Sequence, residues 1–259
     1  MISSNLKSLI QQKKVTLGSW ITLSDPSISE IFANAGFDWL VVDLEHSAIS
    51  IDQAINHIRT IELAGSVPLV RLTSNDPQQI KRVMDSGSKG IVVPNVKTAN
   101  EAEIAVKATR YFPSGNRGVG LARAQQFGFA FEEYFSWQKK GGPIVVVQIE
   151  DKIAIENLTN IFNVDGVDAF FIGPYDLSAS MGIPGEFDDP LFIKTIDYIL
   201  EIGKRCNCPA GIHIVEPSKL LLANAIKKGY TFLAYSVDIR MLDVTSREGI
   251  NSIKDNLNE

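Results

Sequence analysis

Residues 143–177 read PIVVVQIEDKIAIENLTNIFNVDGVDAFFIGPYDL, and this stretch decides the fold. Its two ends, 143–150 and 167–173, are short runs of β-branched and aromatic residues, as expected of strands buried on both faces in a parallel sheet. A segment of helical period joins them. Outward from this unit the same alternation recurs, with strand-like runs at 15–22, 38–45, 67–72 and 90–96 before it and at 208–214 and 231–237 after it. Helix starts are marked by Asp25-Pro26, Asp76-Pro77, Asp189-Pro190 and Glu216-Pro217. In each pair a carboxylate can cap free N–H groups and proline at the first helical position loses no hydrogen bond. Helix ends are marked by Ala33/Gly36, Gly65, Gly87 and Gly229.

Eight such units fill the 259 residues without an internal linker. Count and length predict one domain over 1–259, an α/β fold closed as a (β/α)8 TIM barrel. A doubly wound open sheet is the alternative. It would place a glycine-rich turn after the first strand, but that strand ends in Trp20-Ile21-Thr22 with no GxGxxG. One segment is surplus. Residues 111–142 exceed an ordinary connection and hold Tyr111, Phe112, Phe127, Phe129, Phe131, Tyr134, Phe135 and Trp137. So many large apolar side chains should be buried, either as extra helix on the barrel itself or against another subunit.

Composition excludes several classes. With 45% apolar and 21% charged residues the chain is globular rather than disordered. A net charge of −5 with scattered basic residues offers no footprint for nucleic acid or an anionic membrane. Two close cysteines, Cys206 and Cys208, cannot staple a secreted scaffold. No apolar run approaches a membrane span, and MISSNLKSLIQQKK reads as a short helix rather than a signal peptide. A cytoplasmic protein is expected.

Active sites of such barrels lie at the C-terminal ends of the strands. The polar residues there are Trp20 on the first strand, Asp43, Glu45 and His46 on the second, Arg71 and Asn95 on the next two, and Gln148 and Glu150 on the fifth. Asp176 follows the sixth, His213 ends the seventh, and Ser236 or Asp238 the eighth. Glu150 and Asp176 end neighbouring strands, so they could share a hard divalent cation such as Mg²⁺ or Mn²⁺, or could simply cap the following helices. His46 suits proton abstraction near neutral pH, although a lone histidine is often structural. Arg71 ends an apolar strand and needs an anion, a structural or a substrate carboxylate. His57 is assigned to the surface or to packing, and His213 is left open.

These residues resemble the HpcH/HpaI aldolase family of metal-dependent class II pyruvate aldolases. The likeness is strongest in AGFDWLVVDLEH (Ala35 to His46), PLVRL, RGVGLARA, VVVQIED (Val145 to Asp151) and FIGPYDLSASMG (Phe171 to Gly182). The resemblance implies a general base at His46, a pyruvate-holding arginine at Arg71, metal ligands at Glu150 and Asp176, and a substrate or water contact at Gln148. Trp20 would line the substrate pocket, and Asp43 would stand near the metal-bound water. The metal would be Mg²⁺ or Mn²⁺, with Co²⁺ as a further possibility. The resemblance also places at Asp85 the aspartate that raises the basicity of the histidine. Barrel logic puts Asp85 on the opposite face, so a neighbouring subunit would have to supply it, consistent with a homo-oligomer, trimer or hexamer. Tyr175 departs from the alanine common in the family, and would narrow or polarise the pocket. Asp151 adds charge beside Glu150.

The reaction implied is reversible aldol cleavage of a 4-hydroxy-2-oxo acid, of the 2-keto-3-deoxy sugar acid type, to pyruvate and an aldehyde. Alternatives on the same site are an oxaloacetate-type decarboxylase and a CoA-ester lyase. From another class, a non-catalytic binding or assembly protein remains. A Schiff-base aldolase would need a lysine in the mouth, where the sixth strand carries none.

Overall fold

The computed structural model describes residues 5–257. After α1 (Asn5–Gln11), eight parallel strands alternate with helices and close in sequence order, β8 pairing with β1. The first half runs β1 (Thr16–Ile21), α2 (Ser27–Asn34), β2 (Trp39–Asp43), α3 (Ile51–Leu63), β3 (Val67–Arg71), α4 (Pro77–Asp85), β4 (Gly90–Val93) and α5 (Ala99–Thr109). After the surplus segment, which carries α6 (Phe131–Lys139), come β5 (Ile144–Ile149), α7 (Lys152–Phe162) and β6 (Ala169–Ile172). Two helices follow β6, the short α8 (Pro174–Ser180) and α9 (Pro190–Arg205). The barrel ends with β7 (Ala210–Ile214), α10 (Lys219–Lys228), β8 (Phe232–Val237) and α11 (Asp238–Leu257). The expected single (β/α)8 barrel is therefore observed.

Strand alternation sorts the side chains into two cores. Trp20, Trp39, Val41, Leu69, Val92, Val146, Phe171, Phe232 and Ala234 fill the barrel. Their sequence neighbours Ile21, Leu40, Val42, Val70, Ile91, Val147, Phe170 and Leu233 pack outward under the helices. Trp39 stacks on Phe232 with centroids 4.1 Å apart. Gly18 makes that possible, since a Cβ there would lie 2.1 Å from the Trp39 ring. Leu6 and Ile10 of α1 join this inner cluster and plug the N-terminal end. The expected N-terminal helix is thus an apolar stopper with a polar outer face; its residues 1–4 lie outside the described ones.

Local signals act as read at most places. Asp76 and Asp189 cap α4 and α9 with proline behind them, and Gly36, Gly65, Gly87 and Gly229 all adopt positive φ. Glu216 is a correction: Ser218 caps α10 instead, while Glu216 is drawn 2.8 Å from Arg240, whose five-donor fork offers charge-assisted bonds. Asp238 clasps the first and last strands, accepting from the Thr22 and Leu23 amides at 2.8 Å each.

The 111–142 segment divides. Tyr111 and Tyr134 are buried around the Arg117 side chain, which is fully buried and stacks 4.6 Å from the Tyr111 centroid. Phe112, Phe127 and Phe129 stay exposed, Phe129 at 92%.

Candidate active site

Strand parity aims Asp43, Arg71, Gln148 and Glu150 inward at the C-terminal mouth, each an even number of residues from an inward-facing apolar residue of its own strand. His213 points the same way, an odd number of residues from the outward-packed Ala210, Ile212 and Ile214 and with its ring against Trp20. Arg71 is the hub. Its Nε and Nη2 donate to Asp43 at 2.8 and 2.6 Å, its Nη1 lies 3.2 Å from Glu45, and its guanidinium covers the Trp20 ring at 4.4 Å. Bidentate pairing and the aromatic face together hold the fork in one orientation. Arg71 therefore has structural carboxylate partners in Asp43 and Glu45. Burial pushes the Glu45 carboxyl up despite Arg71, with Asp43 and Asp176 adding repulsion.

Glu150 is the most perturbed acid of the mouth. Burial, with Glu45 and Asp176 nearby, pushes its carboxyl up to about 7, against the Asn95 amide that bonds it at 2.5 Å. Asn95 presents that N–H from a left-handed backbone, φ 53°. Gln148 Nε2 donates to the other oxygen at 3.0 Å, while Gln148 Oε1 is buried without a partner. Glu150 caps no helix; that role belongs to Asp151, which accepts from the Ile153 amide and pairs with Lys97 at 2.9 Å. The charge Asp151 adds is thus already matched. Asp176 stands exposed in the first turn of α8.

The other expected residues are dispersed. His46 lies on the rim, 66% exposed, with Nε2 3.8 Å from Glu45. Tyr175 is exposed, its ring edge-on to Phe187 at 4.9 Å. Asp85 ends α4 on the opposite face and pairs with Arg117 at 2.8 Å. Within one chain it does not meet His46. His57 is fully buried, its ring nitrogens 2.8 Å from Ser29 Oγ and 3.1 Å from Ser24 O, so it belongs to packing. Sequence reasoning misses Gly173, where a Cβ would lie 2.5 Å from Glu150 Oε2. Its signal is a glycine ending an otherwise bulky strand.

An arginine fixed over a tryptophan and paired with acids thus stands at the C-terminal mouth of a closed (β/α)8 barrel. The chain belongs to the HpcH/HpaI aldolase/citrate lyase family, whose model matches residues 16–243. It is 36% identical over 237 residues to the 5-keto-4-deoxy-D-glucarate aldolase of Escherichia coli O9:H4 (strain HS), covering 91% of each chain. To the 4-hydroxy-2-oxo-heptane-1,7-dioate aldolase of Klebsiella pneumoniae subsp. pneumoniae it is 36% identical over 242 residues, 93% of this chain and 90% of the other. A solved HpcH/HpaI aldolase/citrate lyase family protein from Burkholderia cenocepacia J2315 superposes with TM-score 0.90 at 28% identity, covering 97% of this chain and 100% of that one. The protein is accordingly a carbon–carbon lyase of the aldolase type. No described helix is long and apolar enough to cross a membrane.

Proposed function

We propose that the protein cleaves a 4-hydroxy-2-oxo acid reversibly to pyruvate and an aldehyde, using a divalent cation held by Glu150 and Asp176. One observation carries this reading: the buried Glu150 is repelled by half-buried Glu45 and by exposed Asp176 at a mouth whose arginine is already committed to Asp43 and Glu45. A further cation relieves that repulsion, and the donor set fits one. The available atoms are all oxygens, with the orphaned Gln148 Oε1 beside them, as a hard ion such as Mg²⁺, Mn²⁺ or Co²⁺ requires. When bound, the ion supplies Lewis acidity toward the enolate oxygen that develops on cleavage.

The chain's own residues do the rest. Arg71 receives the carboxylate or oxyanion of the pyruvate half in the seat that Glu45 holds, and Glu45 yields it because burial already disfavours its charge. Preorganisation of the guanidinium by Asp43 and Trp20 spares it reorganisation at the moment of reaction. His46, on the rim beside Glu45, takes the C4-hydroxyl proton as the C3–C4 bond breaks; the bonding pair stays on C3, which a proton then quenches. Asp85 sits at the opposite face of the barrel and cannot assist within one chain, and we assign it to the base of a second copy. Exposed Phe112, Val119, Leu121, Phe127 and Phe129 in the surplus segment offer that copy an apolar seat. A homo-oligomer, trimer or hexamer, is the form we propose, in a cytoplasmic setting that suits the free Cys206 and Cys208.

Incubation with pyruvate, Mg²⁺ or Mn²⁺ and an aldehyde panel should give aldol products that a chelator abolishes. Chelator-resistant product, or undiminished metal binding by Glu150→Gln, overturns the reading.

A further inference from the structure

His213 is a polar residue of the mouth that the proposed chemistry does not use, and its surroundings fix its state. Its Nε2 lies 3.0 Å from the carbonyl oxygen of Ser236. A carbonyl only accepts, so Nε2 carries the proton, and in the neutral ring Nδ1 is left with a lone pair. Burial holds the imidazole neutral, with Arg71 acting in the same direction. Among the described residues the ring's one hydrogen bond is that of Nε2, and none is made by Nδ1.

The grip on His213 is built rather than incidental. Ser236 adopts φ 57°, a left-handed conformation that is strained for a non-glycine residue. Three contacts hold it there: Ser19 Oγ shares its proton between the same carbonyl at 3.1 Å and that of Tyr235 at 2.9 Å, Ser236 Oγ donates to the Val215 carbonyl at 2.8 Å, and His213 completes the set. On its other side the His213 ring packs 5.4 Å from Trp20, whose own ring carries Arg71. Placement follows from strand order. The groups for the pyruvate half lie on β2, β3, β5 and just beyond β6, whereas His213, Ser236 and Trp20 lie on β7, β8 and β1. His46, the base for the C4 hydroxyl, follows β2, which adjoins β1, so an aldehyde-derived half leaving C4 can pass Trp20 toward this second side.

We infer that His213 is a specificity-determining residue for the aldehyde half, its Nδ1 accepting a hydrogen bond from a hydroxyl beyond C4, so that the enzyme favours hydroxylated aldehydes over apolar ones of equal size. The inference rests on the proposed aldolase activity. A neutral acceptor of fixed tautomer discriminates in this way because it takes a hydroxyl but gives nothing to a methylene, and an unmet acceptor penalises the wrong partner.

The test compares kcat/KM for pyruvate aldol addition to glyceraldehyde and to propanal, which have equal carbon number. His213→Leu should lower the glyceraldehyde-to-propanal ratio about two- to tenfold, and His213→Gln, which keeps an acceptor oxygen, should restore part of it. An unchanged ratio in active His213→Leu overturns the inference, and so does an equal fall for both aldehydes, which marks a structural role. Absence of aldol product from wild-type enzyme with either aldehyde overturns the activity itself and the inference with it. Should the variants not fold, imidazole ¹⁵N spectra of wild-type enzyme decide. The His213 Nδ1 resonance should move on adding the glyceraldehyde aldol and not the propanal aldol, and equal response to both overturns the role.

Discussion

Replacing Gly173 by alanine adds one methyl group where Glu150 passes the end of β6. The backbone there, φ −96° and ψ 90°, is open to alanine, so conformational strain plays no part. The cost is a collision: the new Cβ would lie 2.5 Å from Glu150 Oε2 and 3.0 Å from Glu150 Cβ. Something must move, and the carboxylate end is the softest group. Moving it stretches its bond from the Asn95 amide, now 2.5 Å, and that from Gln148, now 3.0 Å. A hydrogen bond to a charged group contributes about 1.5–3 kcal/mol, so losing one weakens whatever depends on that carboxylate by about 10- to 150-fold. Gly173→Ala should therefore lose one to two orders of magnitude in Mn²⁺ affinity and a similar factor in kcat/KM. Calorimetric titration with Mn²⁺ at pH 8, above the raised pKa of Glu150, reads the first, and a thermal melt checks that the barrel remains. Wild-type affinity in a folded Gly173→Ala variant would refute the argument that the missing Cβ seats Glu150.

Arg71→Lys keeps the charge but loses the fork on Asp43 and the flat contact with Trp20; kcat/KM should fall about 10- to 150-fold with the fold intact. Lys7→Met leaves Asp168, 5% exposed and paired at 3.0 Å, without its cation; unfolding in urea should show a loss of about 3–5 kcal/mol, partly recovered by adding Asp168→Asn. Acid sensitivity should come partly from histidines. Burial lowers His57 and takes His213 down to about 4, below the ordinary 6.5. Folded protein thus refuses protons the unfolded chain accepts. The associated stability is present above pH 6.5 and is lost as pH falls toward 4, by up to about 1.4 kcal/mol per unit for each group. Urea melts between pH 7 and 4.5 should show a shallower decline in His213→Gln. Phe129→Asp places a charge on the most exposed aromatic; light scattering should show a smaller assembly, and an unaltered mass removes that surface from the contact.

The barrel was legible because its information is local and repeated. Unbroken apolar runs, Asp-Pro starts and glycine stops each specify one element, and eight copies leave few ways to assemble them. Arg71, Gln148 and Glu150 were legible for the same reason, since parity and position at a strand end aim them at the mouth. What escaped depends on distant chain segments. Glu216 looked like a cap until Arg240, 24 residues on, drew it away. Asp151 looked like uncompensated charge, yet Lys97 lies beside it from another loop. Gly173 matters through a side chain beyond the neighbouring strand, and its own surroundings mark only a glycine after a bulky strand, not what it makes room for. The tautomer of His213 is set by the carbonyl of a strained serine on β8, which no periodicity reports.

The Asp238 clasp has a bearing on synthesis. β1 leaves the ribosome well before the strand it pairs with on one side and the carboxylate that holds Thr22 and Leu23, which come only at residues 232–238. Until then a growing chain carries two open sheet edges, the kind of surface that recruits other chains. α1 meanwhile can already cover the N-terminal rim of the barrel. Completion of the sheet therefore waits on residues 232–238, and a chain released before residue 238 would be left as an open sheet, a substrate for chaperones and proteases rather than a weaker enzyme.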